Sequence, residues 1–439
     1  MRQTLFYIPE TFFGVPVFGW GLGLGFLVAL VVIVHCYQYI RHKKVGDIVG
    51  SLTLLGIGGV MLVFILPSLT EPGLGVAIRG YGVFLLLAIL AAFVLLLYLA
   101  KQQGIATDTI FSLAFWTVIA GILGARLFYV TEYWQEMFRF DEAGQLLLRE
   151  SAFNVINFAQ GGLVVFGSVL GGALGASIFM RRNKMPVLRT FDIMAPALVL
   201  GMSIGRFGCL LNGCCFGCVT DVSWGIVFPP GSPAHVHQAA HGDVFLYGLK
   251  FAEENIAGQK RMVIVETNSE TMALGLKPGL RLRTILVEYE GQPMLWEPPN
   301  LRAATAELAH MQTTMPNDKV RLDFFTDAAY TLATPFWLAP SALKVLPVHP
   351  TQIYSSLLAL LLCGTLLVLR RFPFYRHREG LVFASFMILY SIGRFFIEII
   401  RTDEESFFGT GITVSQNVCI VVCLAGIALF VYACRRKKA

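Results

Sequence analysis

Tyr390, Arg394 and Glu398 recur every four residues inside the apolar run 380–400. On a helix that spacing puts a phenol, a guanidinium and a carboxylate on one face. An ionisable group inside a membrane span costs about 3 kcal/mol on insertion scales, so each is a functional hypothesis by default. Other apolar runs carry similar chemistry. Arg206 and Asn212 share one, and Arg126 and Tyr129 share another. The ends of three more hold Arg79 with Tyr81, Gly161 and Gly162 with Ser168, and His349 with Gln352 and Tyr354. Arginines outnumber carboxylates in this set, and a forked guanidinium suits a phosphate or another anion. The alternatives are that these arginines snorkel to headgroups or pair structurally, and that Glu398 neutralises Arg394 or Arg401.

A second cluster is Cys209-x4-Cys214-Cys215-x2-Cys218, followed by His235, His237 and His241. It admits three readings: a metal site completed by histidine, a disulfide on an oxidising face, or plain packing. The spacing fits no iron–sulfur pattern. No metal and no cofactor is assigned. Cys36, Cys363, Cys419, Cys423 and Cys434 lie in or beside apolar runs and read as small buried hydrophobes. Glycines crowd two runs, as Gly161, Gly162, Gly167, Gly171 and Gly172, then Gly205, Gly208, Gly213 and Gly217. They let helices pack closely or let backbone approach a ligand.

The elements that must position these groups follow from composition. Of 439 residues, 56% are apolar and only 14% charged, where soluble domains carry about 25% charged residues. Mean hydropathy is +0.66. About nine runs are long enough to span a bilayer, near 15–40, 47–68, 80–100, 108–132, 158–180, 190–211, 350–369, 380–400 and 412–434. Every second connection is basic. These carry Arg41, Lys43 and Lys44; Lys101; Arg181, Arg182, Lys184 and Arg189; Arg370, Arg371, Arg376 and Arg378; and Arg435, Arg436, Lys437 and Lys438. The alternate connection 402–411 holds Asp403, Glu404 and Glu405 instead. The positive-inside rule then puts the N-terminus outside and the C-terminus inside. The net charge of +6 belongs to loops facing anionic lipid rather than to nucleic-acid binding. No cleaved targeting segment is expected, because the first apolar run is too long for a signal-peptide core.

The expected fold class is therefore an all-α polytopic membrane protein with a small α+β insert on its outer face. That topology gathers the polar groups of six spans in the outer half of the bilayer and leaves the inner half apolar. A transporter would show polar groups reaching both faces. Residues 134–157 read as an amphipathic arm or a polar loop. Residues 242–335 look soluble, with strands at Met262–Val265 and Leu282–Val287 and a helix capped by Asn300 that aligns Leu301, Ala304, Leu308 and Met311. The order Gly275-Leu276-Lys277-Pro278-Gly279, strand, Gly291-Gln292-Pro293, helix resembles a PDZ-type domain of bacterial envelope proteins. Another small α+β insertion is the alternative.

The stretch Gly205-Arg206-Phe207-Gly208-Cys209-Leu210-Leu211-Asn212-Gly213-Cys214-Cys215-Phe216-Gly217 resembles a signature of the bacterial phosphatidylglycerol–prolipoprotein diacylglyceryl transferase family. In order along the chain, Arg79-Gly80-Tyr81-Gly82, Gly124-Ala125-Arg126-Leu127, Gly161-Gly162-Leu163, His349-Pro350-Thr351-Gln352-Ile353-Tyr354, Tyr390 through Arg401 and Val414-Ser415-Gln416 are similar to further family motifs. The resemblance implies a core of about seven spans, in two parts at 79–230 and 345–434. Residues 1–70 are then an extra transmembrane hairpin and 242–335 an inserted extra-cytoplasmic domain. It also implies a multi-pass enzyme of the bacterial cytoplasmic (inner) membrane, opening to the outer leaflet. Its partners are phosphatidylglycerol, the lipobox region of a prolipoprotein and membrane lipids. The product is a thioether, with sn-glycerol-1-phosphate released.

The implied catalytic residues are Arg206, Arg394, Glu398, His349 as a base, and Tyr390. The implied phosphatidylglycerol contacts are Arg206, Arg79, Tyr81, Arg126, Gly161, Gly162, Asn212, Gly217, Gln352, Tyr354 and Arg401. The chain departs from the family pattern at Cys209, where Asn is common, at Cys214, where an acidic residue is common, and at Phe166, where His or Tyr is frequent. A non-catalytic lipid or lipoprotein sensor is the alternative those departures allow.

Overall fold

The computed structural model describes residues 4–42, 55–71, 73–138, 147–156, 162, 164–256, 259–289, 292–296, 305, 308–309, 311, 320–325, 336–338, 344–401 and 412–436. In chain order the principal helices are α1 (Leu22–His42), α2 (Gly80–Gln102), α3 (Thr107–Glu132), α4 (Val165–Arg182), α5 (Val187–Asn212), α6 (Pro233–Ala240), α7 (Thr351–Leu369), α8 (Leu381–Ile400) and α9 (Val414–Arg435), with shorter ones at Trp134–Met137, Leu148–Ile156, Ser269–Ala273 and Pro373–Arg376. The strands are β1 (Thr4–Ile8), β2 (Thr70–Glu71), β3 (Gly75–Arg79), β4 (Leu249–Ile256), β5 (Gln259–Thr267), β6 (Arg281–Tyr289), β7 (Gln292–Trp296), β8 (Val320–Phe325) and β9 (Phe336–Leu338).

Among the described residues, six helices, α2, α3, α5, α7, α8 and α9, are long and apolar enough to cross a membrane. Leu22–Cys36 and Leu55–Leu69 form shorter apolar helices. Helix α4 has 18 residues, about 27 Å at 1.5 Å per residue, and ends in Arg181 and Arg182. The expected runs at 15–40, 47–68 and 158–180 thus yield shorter apolar helices, and part of the latter two lies outside the described residues. Large apolar side chains such as Ile89, Leu123, Leu361 and Val421 stand exposed on the long helices. A water-soluble protein does not tolerate such broad apolar surface; hydrocarbon does.

The chain divides into two compact units. One comprises residues 87–203, 355–399 and 405–439. Its tightest helix pair is α3 with α4. A Cβ on Gly124 would stand 2.4 Å from the Gly167 carbonyl oxygen, and one on Gly171 would stand 2.4 Å from that of Ala120. Glycine is required at both places for the backbones to approach. Ser203 and Ser356 exchange hydroxyl bonds with each other's carbonyls at 2.9 and 2.8 Å. The Asp192 carboxylate accepts the Gly380 and Phe383 amides at 2.7 and 2.8 Å, capping the start of α8 from α5.

The other unit comprises residues 1–86, 204–354 and 400–404. It holds a three-stranded sheet in the order β1-β3-β2 and a six-stranded antiparallel sheet in the order β9-β8-β6-β5-β4, with β7 paired to β6. The expected strands at Met262–Val265 and Leu282–Val287 lie within β5 and β6. Leu246, Leu249, Phe251, Ile264, Leu276 and Leu282 share one core with Leu308 and Met311, two positions of the expected helix. Asn300, Leu301, Ala304 and Gly291 lie outside the described residues. The core also takes in Ala239 and Leu338. Gln238 on α6 donates to the Leu346 carbonyl at 2.9 Å and accepts its amide at 3.0 Å, tying together the two ends of the insert.

Candidate active site

Helix α5 ends at Asn212 because Gly213 turns left-handed, at φ +74°. The Cys214 amide reaches back to the Cys209 carbonyl at 3.2 Å and the Gly213 amide to that of Leu210 at 3.3 Å. Those two bonds form a Schellman stop, which folds Cys214 back over Cys209. The loop beyond is pinned through its backbone. The Cys214 carbonyl accepts from the Gln352 amide at 2.7 Å, and the Cys215 carbonyl accepts from the Thr351 hydroxyl at 2.6 Å. The Gly217 amide donates to the His349 carbonyl at 2.9 Å, the His349 amide to Cys218 at 3.0 Å, and the Cys218 amide to Ile400 at 2.9 Å. Gly217 is a position of close approach, where a Cβ would stand 2.7 Å from that of His349. Gly217 also bridges to Arg401.

Around this loop the structure gathers most of the expected residues of its unit. Gly208 packs on Tyr81, where a Cβ would lie 3.2 Å from the Tyr81 carbonyl oxygen. That contact holds the first turn of α2 against the last turns of α5, which carry Arg206. Arg206 is half-buried, and among the described residues it makes no hydrogen bond or ion pair. The buried Gln352 holds Cys214 with its nitrogen, while its Oε1 has no partner among the described residues. Tyr354 accepts from Trp224 Nε1 at 2.7 Å and lies 3.3 Å from His349 Nδ1. His349, the expected base, thus stands within reach of the Tyr354 hydroxyl. Arg79 is exposed, with Glu71 at 4.0 Å.

The Sγ atoms of Cys209, Cys214 and Cys215 lie within 4.8 Å of one another, and no disulfide joins them. Cys215 takes a left-handed backbone, φ 58°. Its thiol is held below the ordinary range, first by hydrogen bonds with Cys209 and Cys214, then by the Arg401 and Arg206 charges.

The second unit holds the remaining expected residues. Arg394 pairs with the buried Glu398 at 2.6 Å, one helical turn on, and reaches Ser415 Oγ at 3.5 Å. Tyr390 packs beside Phe386, with ring centroids 5.7 Å apart. Arg126 is buried, and its guanidinium is taken up by backbone. It donates to the carbonyls of Val155 at 2.8 Å, Gly162 at 3.0 Å and Asn154, with the Tyr129 ring 5.3 Å away. Gly162, at φ +85°, passes so close that a Cβ would stand 2.6 Å from Arg126 Nη1. Gly161 lies outside the described residues.

The sequence reading gave no role to Thr351, Trp224 or Ser415. Trp224 follows the glycine signature closely, which is a signal. The carbonyls that clamp Arg126 leave none.

A family model described as prolipoprotein diacylglyceryl transferase matches residues 67–432. The chain belongs to this family. A protein of Rhodopirellula baltica named phosphatidylglycerol–prolipoprotein diacylglyceryl transferase is 33% identical over 466 residues, covering 98% of this chain and 89% of its own. A protein of Clostridium perfringens, named as transferase 2 of that kind, is 25% identical over 356 residues, covering 81% and 91%. One of Acaryochloris marina under the first name is 36% identical over 174 residues, covering 39% and 60%. The prolipoprotein diacylglyceryl transferase match takes in every motif described above and leaves out residues 1–66.

Proposed function

We propose that this transferase moves the diacylglyceryl group of phosphatidylglycerol to the lipobox cysteine thiol of a prolipoprotein, the first step of lipoprotein maturation. A thioether forms and sn-glycerol-1-phosphate leaves. Besides the family match, one observation carries the reading: Arg206 is a half-buried guanidinium without a partner among the described residues, at the head of a backbone-locked loop. A cation so held is suited to the phosphodiester, whose leaving oxygen gains charge as the carbon–oxygen bond breaks. Gln352 Oε1 is a waiting acceptor for a headgroup hydroxyl. Tyr81, Asn212, Gly217, Tyr354 and Arg401 surround or hold the same loop and are assigned to lipid binding.

Arg394, oriented by Glu398, is assigned to anionic charge in the reaction, and Tyr390 to proton relay. Arg126 and Gly162 are positioning residues for the segment they clamp. The chain lies in the bacterial cytoplasmic membrane as about nine spans, N-terminus outside, with its site opening to the outer leaflet. The alternation of basic connections supports that orientation, and labelling of single cysteines placed in successive loops tests it.

The deciding experiment is glycerol phosphate release by the purified protein in detergent, given phosphatidylglycerol and a peptide bearing the precursor cysteine. Release that needs the thiol and disappears in Arg206→Ala supports the transferase. A folded protein that binds phosphatidylglycerol and releases nothing overturns it.

A further inference from the structure

Three sulfurs in a locked loop are more than packing requires. Cys209, Cys214 and Cys215 are each half-buried, with every Sγ within 4.8 Å of the others. Thiolates on one tetrahedral zinc ion, at about 2.3 Å each, stand about 3.8 Å apart. A modest turn of the side chains therefore brings all three onto one ion. The backbone is already fixed for this. The Schellman stop places Cys214 over Cys209, the left-handed Cys215 turns its side chain back, and Gln352 and Thr351 hold both following carbonyls. The positive charges of Arg206 and Arg401 act on Cys215, and they offset the negative charge of three thiolates on a divalent ion. Among the described residues, no carboxylate or imidazole joins the group as a fourth ligand. Three protein ligands with a vacant position is the pattern of a catalytic zinc site, whereas structural sites are closed by four.

We propose that Cys209, Cys214 and Cys215 bind a zinc ion whose fourth position takes the cysteine thiol of the precursor. The metal site stands on the geometry alone; the role of its fourth position rests on the transferase reading. A thiol coordinated to zinc loses its proton outright, here to water. The resulting thiolate attacks the glyceryl carbon that bears the phosphate. A sulfur–carbon bond forms, the carbon–oxygen bond breaks, and its electron pair leaves on the phosphate oxygen. The thioether product is neutral and a weak ligand, so it departs. This supplies thiolate without a general base.

The test is metal analysis by mass spectrometry of full-length protein purified in detergent, without chelators and without a metal-affinity tag. Stoichiometric zinc is expected in the native protein and in Cys218→Ser. Cys209→Ser, Cys214→Ser and Cys215→Ser are each expected to lose it while keeping the native thermal transition. Native protein reloaded with cobalt needs no variant. It is expected to show sulfur-to-cobalt charge-transfer absorption that shifts with a cysteine peptide and not with its serine counterpart. Native protein that takes up neither metal, with all three thiols free to react or two joined as a disulfide, overturns the site. Cobalt absorption that ignores the cysteine peptide, or glycerol phosphate release undiminished after metal removal, overturns the role of the fourth position and leaves the transferase reading intact. Metal that binds and responds to the thiol, with no release from any form, sinks the transferase reading and leaves the site standing.

Discussion

Arg126 and Arg206 both sit in glycine-rich family motifs, near the ends of long apolar helices, and their surroundings could hardly differ more. Arg126 is buried and surrounded by the carbonyls of Asn154, Val155 and Gly162. Arg206 stands half-buried at the start of the thiol loop with no described partner. The same side chain is a fastener in one unit and an open hand in the other. A guanidinium is a rigid fork of five donors. What it does is decided by whether the fold fills that fork itself.

The sharpest way to break this comparison is to exchange each arginine for lysine. Arg206→Lys is expected to lower glycerol phosphate release by at least about 100-fold, the usual effect of losing one aimed donor, and to leave the thermal transition in place. Arg126→Lys is expected to do the reverse. Losing two or three carbonyl bonds to a charged group costs about 3 kcal/mol or more, read as a lower unfolding temperature, while the folded fraction keeps its specific activity. If Arg126→Lys kills activity without touching stability, Arg126 belongs with Arg206 after all.

Gly124→Ala, at the other contact of α3, presses a methyl against the Gly167 carbonyl. Overpacking of that kind costs about 1 to 3 kcal/mol, and a thermal scan reads it. A smaller effect is expected at His235, which is buried, accepts the Gly231 amide on Nδ1 at 3.0 Å and has no described partner for Nε2. Burial lowers its proton affinity below the ordinary 6.5. The unfolded chain then binds the extra proton more readily, so stability is complete above 6.5 and falls as pH drops below it. His235→Gln is expected to flatten that slope, measured as unfolding temperature against pH. An unchanged slope assigns it to other groups.

The long apolar helices were legible as runs of about 20 residues, because the bilayer imposes length and little else. The core of the insert was legible in part, since Leu308 and Met311 stand at helical spacing and both are buried. What a residue does within its motif was harder to read. Nothing in the sequence distinguishes Arg126 from Arg206, because the partners of the former are backbone carbonyls, which every residue has. The cap on α8 is similar: Asp192 serves amides 188 and 191 positions away. The thiol cluster was visible as a pattern, but a metal, a disulfide and packing all suit Cys-x4-Cys-Cys. Only the turn at Gly213 shows which sulfurs meet.

The Gln238 amide joins two points 108 positions apart in the chain. Everything between them is an excursion that departs and returns at nearly the same place. Lengthening such a loop changes its closure entropy only logarithmically. The excursion is therefore a cassette. It can be enlarged, trimmed or exchanged over generations while its two ends stay tied at Gln238 and Leu346.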